Sequence, residues 1–373
     1  MQATRAVIHL DNLRGNIETA RKKIGPHPKI CLPVKADAYG HGSVPVSRFA
    51  LEAGVEYLAV SGVLEGVELR SGGINAPILL LSQTLPEELP LIAPLELIPL
   101  VSDAEFIEEA ERAAEETKKN LTVHLKVDTG MGRLGCHPDE AVSLAAKIVS
   151  SRRLKLGGVA THLSVSDSPD STDIAYTKKQ IRCFMEVIGE IKKDGIEPGL
   201  VHAANTGGLV LHEDSYFDMV RPGLFLYGYS PLAPDRGGLP ARPVMELQSA
   251  VVFIKKVKKG DSVSYGRTWT APEDTYIGVI PAGYADGFPR AFSNNHSIQI
   301  RGRAYPLVGR ICMDQCVVNL GPETDVRRWD EAVIFGPDFI SVAEMAEKIN
   351  TIPYEITCNI NKRVPREYVA NNK

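Results

Sequence analysis

Between residues 10 and 235 the chain repeats one alternation: a short apolar run, then a stretch with helical periodicity. The runs are Lys29–Lys35, Tyr57–Ser61, Pro77–Ser82, Leu97–Val101, Leu121–Val127, Leu156–His162, Leu200–Asn205 and Asp218–Tyr227. Their apolar character is nearly continuous, as expected of strands buried on both faces in a parallel sheet. Eight β-α units of this spacing predict an α/β fold, a (β/α)8 TIM barrel; an open doubly wound sheet would give similar local signals. One helix start is visible in detail: Ser102-Asp103-Ala104-Glu105 reads as a capping box ahead of Phe106, Ala110 and Ala113.

The alternation stops after Tyr227. Pro231–Pro243 is rich in proline and glycine and reads as a linker. Beyond it lie short β-type runs at Ser249–Lys256, Ser262–Gly266, Tyr276–Pro281, Ser297–Arg301, Ala304–Met313, Cys316–Asn319 and Glu331–Phe335, with one helix-like stretch near Ser341–Asn350. A chain of 373 residues is also long for one core. The expectation is a barrel domain over residues 10–235 and a C-terminal, mostly β domain over 236–373, which the N-terminal strand 1–9 is free to join.

Composition narrows the partners. A net charge of −4 offers no basic surface for nucleic acid or an anionic membrane. No apolar run approaches the roughly 18 residues of a membrane span, and the N-terminus carries no signal-peptide pattern. The cysteines, Cys31, Cys136, Cys183, Cys312, Cys316 and Cys358, are scattered without zinc-like pairs. Reduced thiols in a cytoplasmic protein, with no metal site, are expected.

Chemistry gathers in a series of motifs. Val34-Lys35-Ala36-Asp37-Ala38-Tyr39-Gly40-His41-Gly42 directly follows the first run. A lysine at the carboxyl end of a barrel strand points into the mouth where barrel active sites are built. Desolvation there lowers its pKa and frees the neutral amine as a nucleophile. Lys126-Val127-Asp128-Thr129-Gly130-Met131-Gly132-Arg133-Leu134-Gly135 follows the fifth run. Thr161-His162-Leu163, His202-Ala203-Ala204-Asn205-Thr206 and Val220-Arg221-Pro222-Gly223 fall at the sixth to eighth. The second region adds Ser264-Tyr265-Gly266, Pro281-Ala282-Gly283-Tyr284-Ala285-Asp286-Gly287 and Gly309-Arg310-Ile311-Cys312-Met313-Asp314-Gln315.

In this order, over nearly the whole chain, the motifs resemble those of the alanine racemase family, fold-type III pyridoxal-phosphate enzymes. The resemblance implies an isomerase that interconverts L-alanine and D-alanine, supplies D-alanine for peptidoglycan, and works as a cytoplasmic homodimer with composite active sites. It implies that Lys35 binds pyridoxal 5'-phosphate covalently and acts as one base, with Tyr265 of the neighbouring subunit as the other. Inverting a stereocentre is simplest with one proton carrier on each face. Tyr39 resembles a phosphate contact. Asn205 and Thr206 sit where a loop meets a helix, which suits a phosphate and equally suits capping of that helix; Gly223 joins the cofactor-binding set. Arg221 resembles the arginine facing the pyridine nitrogen, and His162 either holds it or simply packs. Arg133 resembles a residue that bonds substrate carboxylate and cofactor, and Lys126 a lysine that the family carbamylates. Met313 and Asp314 resemble substrate-pocket residues, and Tyr284 and Arg290 the corridor leading to it.

Two other pyridoxal-phosphate proteins compete: an amino-acid decarboxylase of the same architecture and a single-barrel cofactor-binding protein. The Lys126–Arg133 motif and the setting of Tyr265 resemble racemases instead, and the second domain argues against the single barrel. A serine or broader racemase stays open as an alternative. One departure bears on it. Lys362 stands where many members carry a tyrosine that reaches the cofactor phosphate, and a lysine swung to solvent would leave a roomier pocket.

Overall fold

Every apolar run between residues 10 and 235 contains a strand in the computed structural model, which describes residues 3–370. After an N-terminal strand, β1 (Arg5–His9), these are β2 (Lys29–Pro33), β3 (Tyr57–Val60), β4 (Ile78–Leu80), β5 (Leu97–Val101), β6 (Leu121–Lys126), β7 (Leu154–Ala160), β8 (Leu200–His202) and β9 (Met219–Val220). They form one parallel sheet in the order β8-β7-β6-β5-β4-β3-β2-β9. Its two ends are tied together. The Asp218 N–H donates to Val201 O (2.9 Å) and the Arg221 N–H to Ala204 O (2.8 Å). The Val201 N–H donates to the Asp218 carboxylate at 2.8 Å. The result is a nearly closed barrel with its helices between successive strands.

Burial explains the continuous apolar runs: Leu58, Ala59, Val60, Ile78, Leu79 and Leu80 are all sealed from solvent. Cys31, Ala59, Leu79 and Met219 pack as one cluster, with Tyr57, Leu81 and Ile98 against it. β6 and β7 slip register at Val123/His124. Beside that bulge β7 carries Gly158, where a Cβ would lie 2.7 Å from the His124 ring and 2.4 Å from Leu200 O. Only glycine lets the histidine lie that close to the neighbouring strand.

Three details differ from the expectation. The eighth run is mostly not strand. Pro222 has no N–H for a ladder and adopts φ −85°, ψ 63°, and the Gly223 N–H turns back to Arg221 O at 3.0 Å, so Gly223–Leu226 is helical. The first run ends at Pro33, before Lys35. The helix Ala104–Glu116 is capped by Asp103, not Ser102: the Asp103 carboxylate accepts from the Phe106 N–H at 2.8 Å. A carboxylate at a helix start gains from the helix dipole as well as the hydrogen bond.

The chain divides into two compact units. The barrel unit comprises Arg14–Ala38 and Ser43–Ala241; the other takes the chain up to Leu13, Tyr39–Gly42 and everything from Arg242 onward. The second unit is mostly β. Its further strands are β10 (Met245–Ala250), β11 (Phe253–Val257), β12 (Ser262–Val263), β13 (Trp269–Thr270), β14 (Thr275–Ile280), β15 (Ser297–Ile300), β16 (Arg303–Pro306), β17 (Cys316–Gly321), β18 (Glu331–Phe335) and β19 (Arg366–Val369). A mixed sheet runs β16-β15-β18-β10-β1-β19, and an antiparallel sheet β11-β14-β17. The run at Ser249–Lys256 is therefore two strands in different sheets, broken at Val251-Val252. The run at Ala304–Met313 ends as strand at Pro306. Val257, Val263, Ala271, Ile277 and Val308 form a local core. The helix Val342–Lys348 starts at Ser341 in a reciprocal box with Glu344, as the helix-like stretch there predicts. Among the described residues no helix is long and apolar enough to cross a membrane.

Candidate active site

Parallel barrel strands put all their carboxyl ends on one rim. In the barrel unit, Lys35 follows β2, Lys126 ends β6 with Arg133 in the loop beyond, and His162 follows β7. Asn205 and Thr206 follow β8, and Arg221 and Gly223 follow β9. That rim is where barrel enzymes assemble their chemistry.

Arg221 is the best-anchored of these side chains, and only 6% exposed. Its Nη1 donates to His202 Nδ1 at 2.5 Å; its Nη2 donates to Thr161 O at 2.7 Å, to Ala203 O at 3.0 Å and, more loosely, to His162 Nδ1 at 3.4 Å. Guanidinium can only donate, so His202 Nδ1 must be an acceptor and its proton must sit on Nε2. His202 Nε2 then donates to His124 Nδ1 at 2.8 Å, which fixes the second ring as neutral too. Burial, reinforced by the Arg221 charge, pushes His124 down to about 3 and holds His202 well below the usual imidazole range. Among the described residues Arg221 pairs with no carboxylate. Burial lowers its own pKa to about 10, and the Cys31 thiol, itself pushed up to about 12 by burial, opposes that only in part.

Lys126 is a second buried cation. Burial first, then the charges of Arg221 and Arg133, hold its ammonium well below the usual lysine range; Asp128 offsets this in part. Asp128 is busy with the loop. Its carboxylate accepts from the N–H groups of Gly130 (2.9 Å), Met131 (2.8 Å) and Gly132 (3.0 Å). Burial raises its pKa, and these three donors together bring it below the usual value. Gly135, at φ 134°, lets Asp128 N come within 2.5 Å of where a Cβ would stand. The two strands of the loop are joined by Cys136 N–H to Lys126 O and Asp128 N–H to Cys136 O, both 2.9 Å. Arg133 leaves this loop exposed to solvent. His162 is held neutral by burial, then by the charges of Arg221, Lys126, Arg133 and Lys35.

Asn205 caps the helix Thr206–Leu211: its Oδ1 accepts from the Gly208 N–H (3.0 Å) and the Ser166 hydroxyl (2.6 Å), and its Nδ2 donates to Leu163 O (3.1 Å). The Thr206 hydroxyl accepts from the Phe225 N–H at 3.1 Å. That leaves its own proton as a donor.

The second unit gathers its own set. Tyr39 belongs here, its ring tilted 37° against Tyr354 at 6.0 Å. Tyr265 is 70% exposed in a strained stretch where Ser264 (φ 64°) and Arg267 (φ 50°) are left-handed. The Ser264 hydroxyl fixes it by donating to Arg310 O at 2.6 Å. Tyr284 N–H donates to Cys312 O (3.1 Å) and Ala285 N–H to Met313 O (2.9 Å), so Tyr284 and Met313 stand side by side, both exposed. Asp314 is exposed but paired: Arg363 bonds it at 2.8 Å and also bonds Asp286 at 2.7 Å. Arg290 is exposed in the next short turn and makes no side-chain hydrogen bond with Tyr284 among the described residues. Lys362 is exposed and makes no hydrogen bond or ion pair among the described residues.

Two family models cover the chain: "Alanine racemase, N-terminal domain" over residues 8–231 and "Alanine racemase, C-terminal domain" over residues 244–368. The chain belongs to the alanine racemase family. The alanine racemase of Treponema denticola is 50% identical over 375 residues, 99% of each chain. That of Treponema pallidum is 43% identical over 378 residues, 99% of this chain and 100% of the other. Among solved structures, the alanine racemase of Clostridium difficile 630 matches with a TM-score of 0.93 at 34% identity, covering 100% of this chain and 97% of that one. The alanine racemase of Bacillus anthracis with bound L-Ala-P matches with 0.92 at 33% identity, covering 100% and 96%.

Within this alanine racemase family member, sequence reading missed the histidine pair. It left His162 between holding Arg221 and simply packing; Arg221 reaches His162 only loosely, at 3.4 Å, and His202 makes the shorter bond. A signal existed for His124. It lies two residues before Lys126 in β6, and period two puts both on one face. The Arg363–Asp286–Asp314 cluster was missed because its members are 77 and 49 residues apart.

Proposed function

We propose that the chain racemises alanine with bound pyridoxal 5'-phosphate, using Lys35 and Tyr265 as proton carriers on opposite faces of the substrate. The observation that carries this reading is Arg221, a buried cation whose hydrogen-bond partners among the described residues are all neutral. That donor set fits a neutral ring nitrogen as a further acceptor. When bound, the cofactor draws electrons from the amino-bearing carbon and makes its Cα–H acidic. Arg221 donates a hydrogen bond without giving up its proton. It therefore favours prompt return of a proton to Cα over side reactions that need a deeper electron sink. Lys35 would hold the cofactor. Thr206, Gly223 and the backbone at Asn205, with Tyr39, would hold its phosphate. Asn205's side chain is already spent on capping, so its share is through the main chain.

Arg133 would orient the substrate carboxylate. Lys126, disfavoured as an ammonium, would serve better as a carbamate: it would then attract Arg133 rather than repel it. Met313 and Asp314 would border the substrate, and Tyr284 and Arg290 its approach. We assign Tyr265 to the partner subunit of a homodimer, in the cytoplasm, with D-alanine used for peptidoglycan; the bacterial relatives support that setting. Alanine is the main substrate in this reading, and the exposure of Lys362 favours some serine turnover.

The test is incubation of the purified protein with L-alanine. D-alanine should form without carbon dioxide, and Lys35→Ala should remove both the activity and the cofactor's visible absorbance. Carbon dioxide release would point to a decarboxylase, and a normal visible spectrum in the variant would move the cofactor lysine elsewhere.

A further inference from the structure

Directly after Lys35 the backbone turns left-handed for four residues: Ala36, Asp37, Ala38 and Tyr39 have φ between 52° and 55°. None is glycine. L-residues visit this region singly, at roughly 1–2 kcal/mol each, and a run of them persists only where the surroundings over-determine it. Two carboxylates hold the barrel part of this turn. Asp37 Oδ1 accepts from the Ser43 N–H at 2.8 Å. Glu65, three residues into the helix Val63–Ser71, splits its oxygens: Oε2 accepts from the Ser61 N–H at 2.6 Å, and Oε1 from the Ala36 N–H at 2.7 Å. Ser61 follows β3 and Ala36 follows Lys35. One carboxylate thus ties the first strained peptide to the end of the adjacent strand. The Oε2 bond reaches Ser61, one residue before the N-cap Gly62, and ties the strand end to the helix start. The Oε1 bond serves the lysine's own turn.

We propose that Glu65 is a positioning residue for Lys35, fixing the direction in which the lysine leaves the barrel by clamping the left-handed turn at Ala36. The inference rests on the reading of Lys35 as the cofactor lysine, but the clamp itself can be tested without it. Glu65→Gln keeps the shape and can still accept one N–H, while its amide end opposes the other. Glu65→Asp keeps an acid in the first helical turn but is one methylene too short to bridge both. The full-length protein and both variants would be compared by hydrogen exchange over residues 34–42, by melting temperature, and by titration of visible absorbance with pyridoxal phosphate. The clamp predicts faster exchange over 34–42 in both variants and cofactor affinity lower by roughly tenfold, as for loss of a charge-assisted hydrogen bond. Glu65→Asp should do this with little change in melting temperature. Unchanged exchange over 34–42 in the folded variants, whatever the melting temperature, would overturn the proposal and leave Glu65 only a tie between Ser61 and its own helix. Faster exchange with unchanged cofactor affinity would overturn the link to Lys35. Reduction of bound cofactor with borohydride, followed by peptide mass analysis, separates the two readings: attachment elsewhere than Lys35 refutes the cofactor assignment, while the exchange result still judges the clamp.

Discussion

Arg221 shows how a single residue's partners can fix the protonation of a whole cluster. Because it only donates, His202 and His124 are both neutral, and folding depresses both pKa values. For such histidines the unfolded chain binds the extra proton. Their contribution to stability is present above the unfolded value near pH 6.5 and is lost as pH falls from there toward the folded value. Each proton taken up adds a slope of up to about 1.4 kcal/mol per pH unit. His124→Gln keeps an acceptor for His202 and removes one titrating group. Its denaturant midpoint should fall less than the parent's between about pH 8 and about pH 5; an equal fall would show that His124 is not buried neutral. Lys126 carries a complementary expectation. Burial first, then its arginine neighbours, disfavour the ammonium, and the neutral amine this favours is the form that takes up carbon dioxide. With isotopically labelled bicarbonate, a carbamate carbon signal should appear in the parent and be absent in Lys126→Ala. A parent without that signal would leave Arg133 facing a plain amine.

At the scale of elements, Gly158 links strand geometry to the site. A methyl there meets Leu200 O at 2.4 Å and the His124 ring at 2.7 Å. Gly158→Ala should lower stability by about 1–3 kcal/mol, the usual penalty of overpacking. Gly189→Ala, exposed on the helix Ser171–Lys193 with nothing within 4 Å, should be neutral or stabilising. Equal effects in chemical denaturation would contradict the close-packing account. The elements differ in how readily the sequence reveals them. β3, β4 and β5 are legible because burial on both faces makes them continuously apolar. β9 is not, because Pro222 ends it after two residues inside a longer apolar run. β19 escaped notice because Arg366–Val369 is charged and largely exposed. The left-handed turn after Lys35 was hidden too: Ala36 and Ala38 are ordinary helix formers, and what bends them is Glu65 on another element. Candidate site residues carried by local motifs could be named from the sequence. Those defined by long-range pairing, such as His202 with His124 or Arg363 with its two carboxylates, could not.

At the scale of the molecule, the two units carry different halves of the proposed chemistry. Lys35, Lys126, Arg133 and Arg221 belong to the barrel unit; Tyr265, Tyr284, Met313 and Asp314 belong to the mostly β unit. Tyr265, Tyr284 and Met313 are exposed large side chains, a surface that association would cover. In a homodimer that supplies Tyr265 from one subunit to Lys35 of the other, each site is composite. Lys35→Ala and Tyr265→Phe are each expected to be inactive or nearly so as pure proteins. The most direct measurement mixes them under conditions of proven subunit exchange and follows D-alanine formation from L-alanine. A mixed dimer holds one intact site, so the account predicts recovery of racemase activity well above either parent variant; no recovery despite exchange would contradict it.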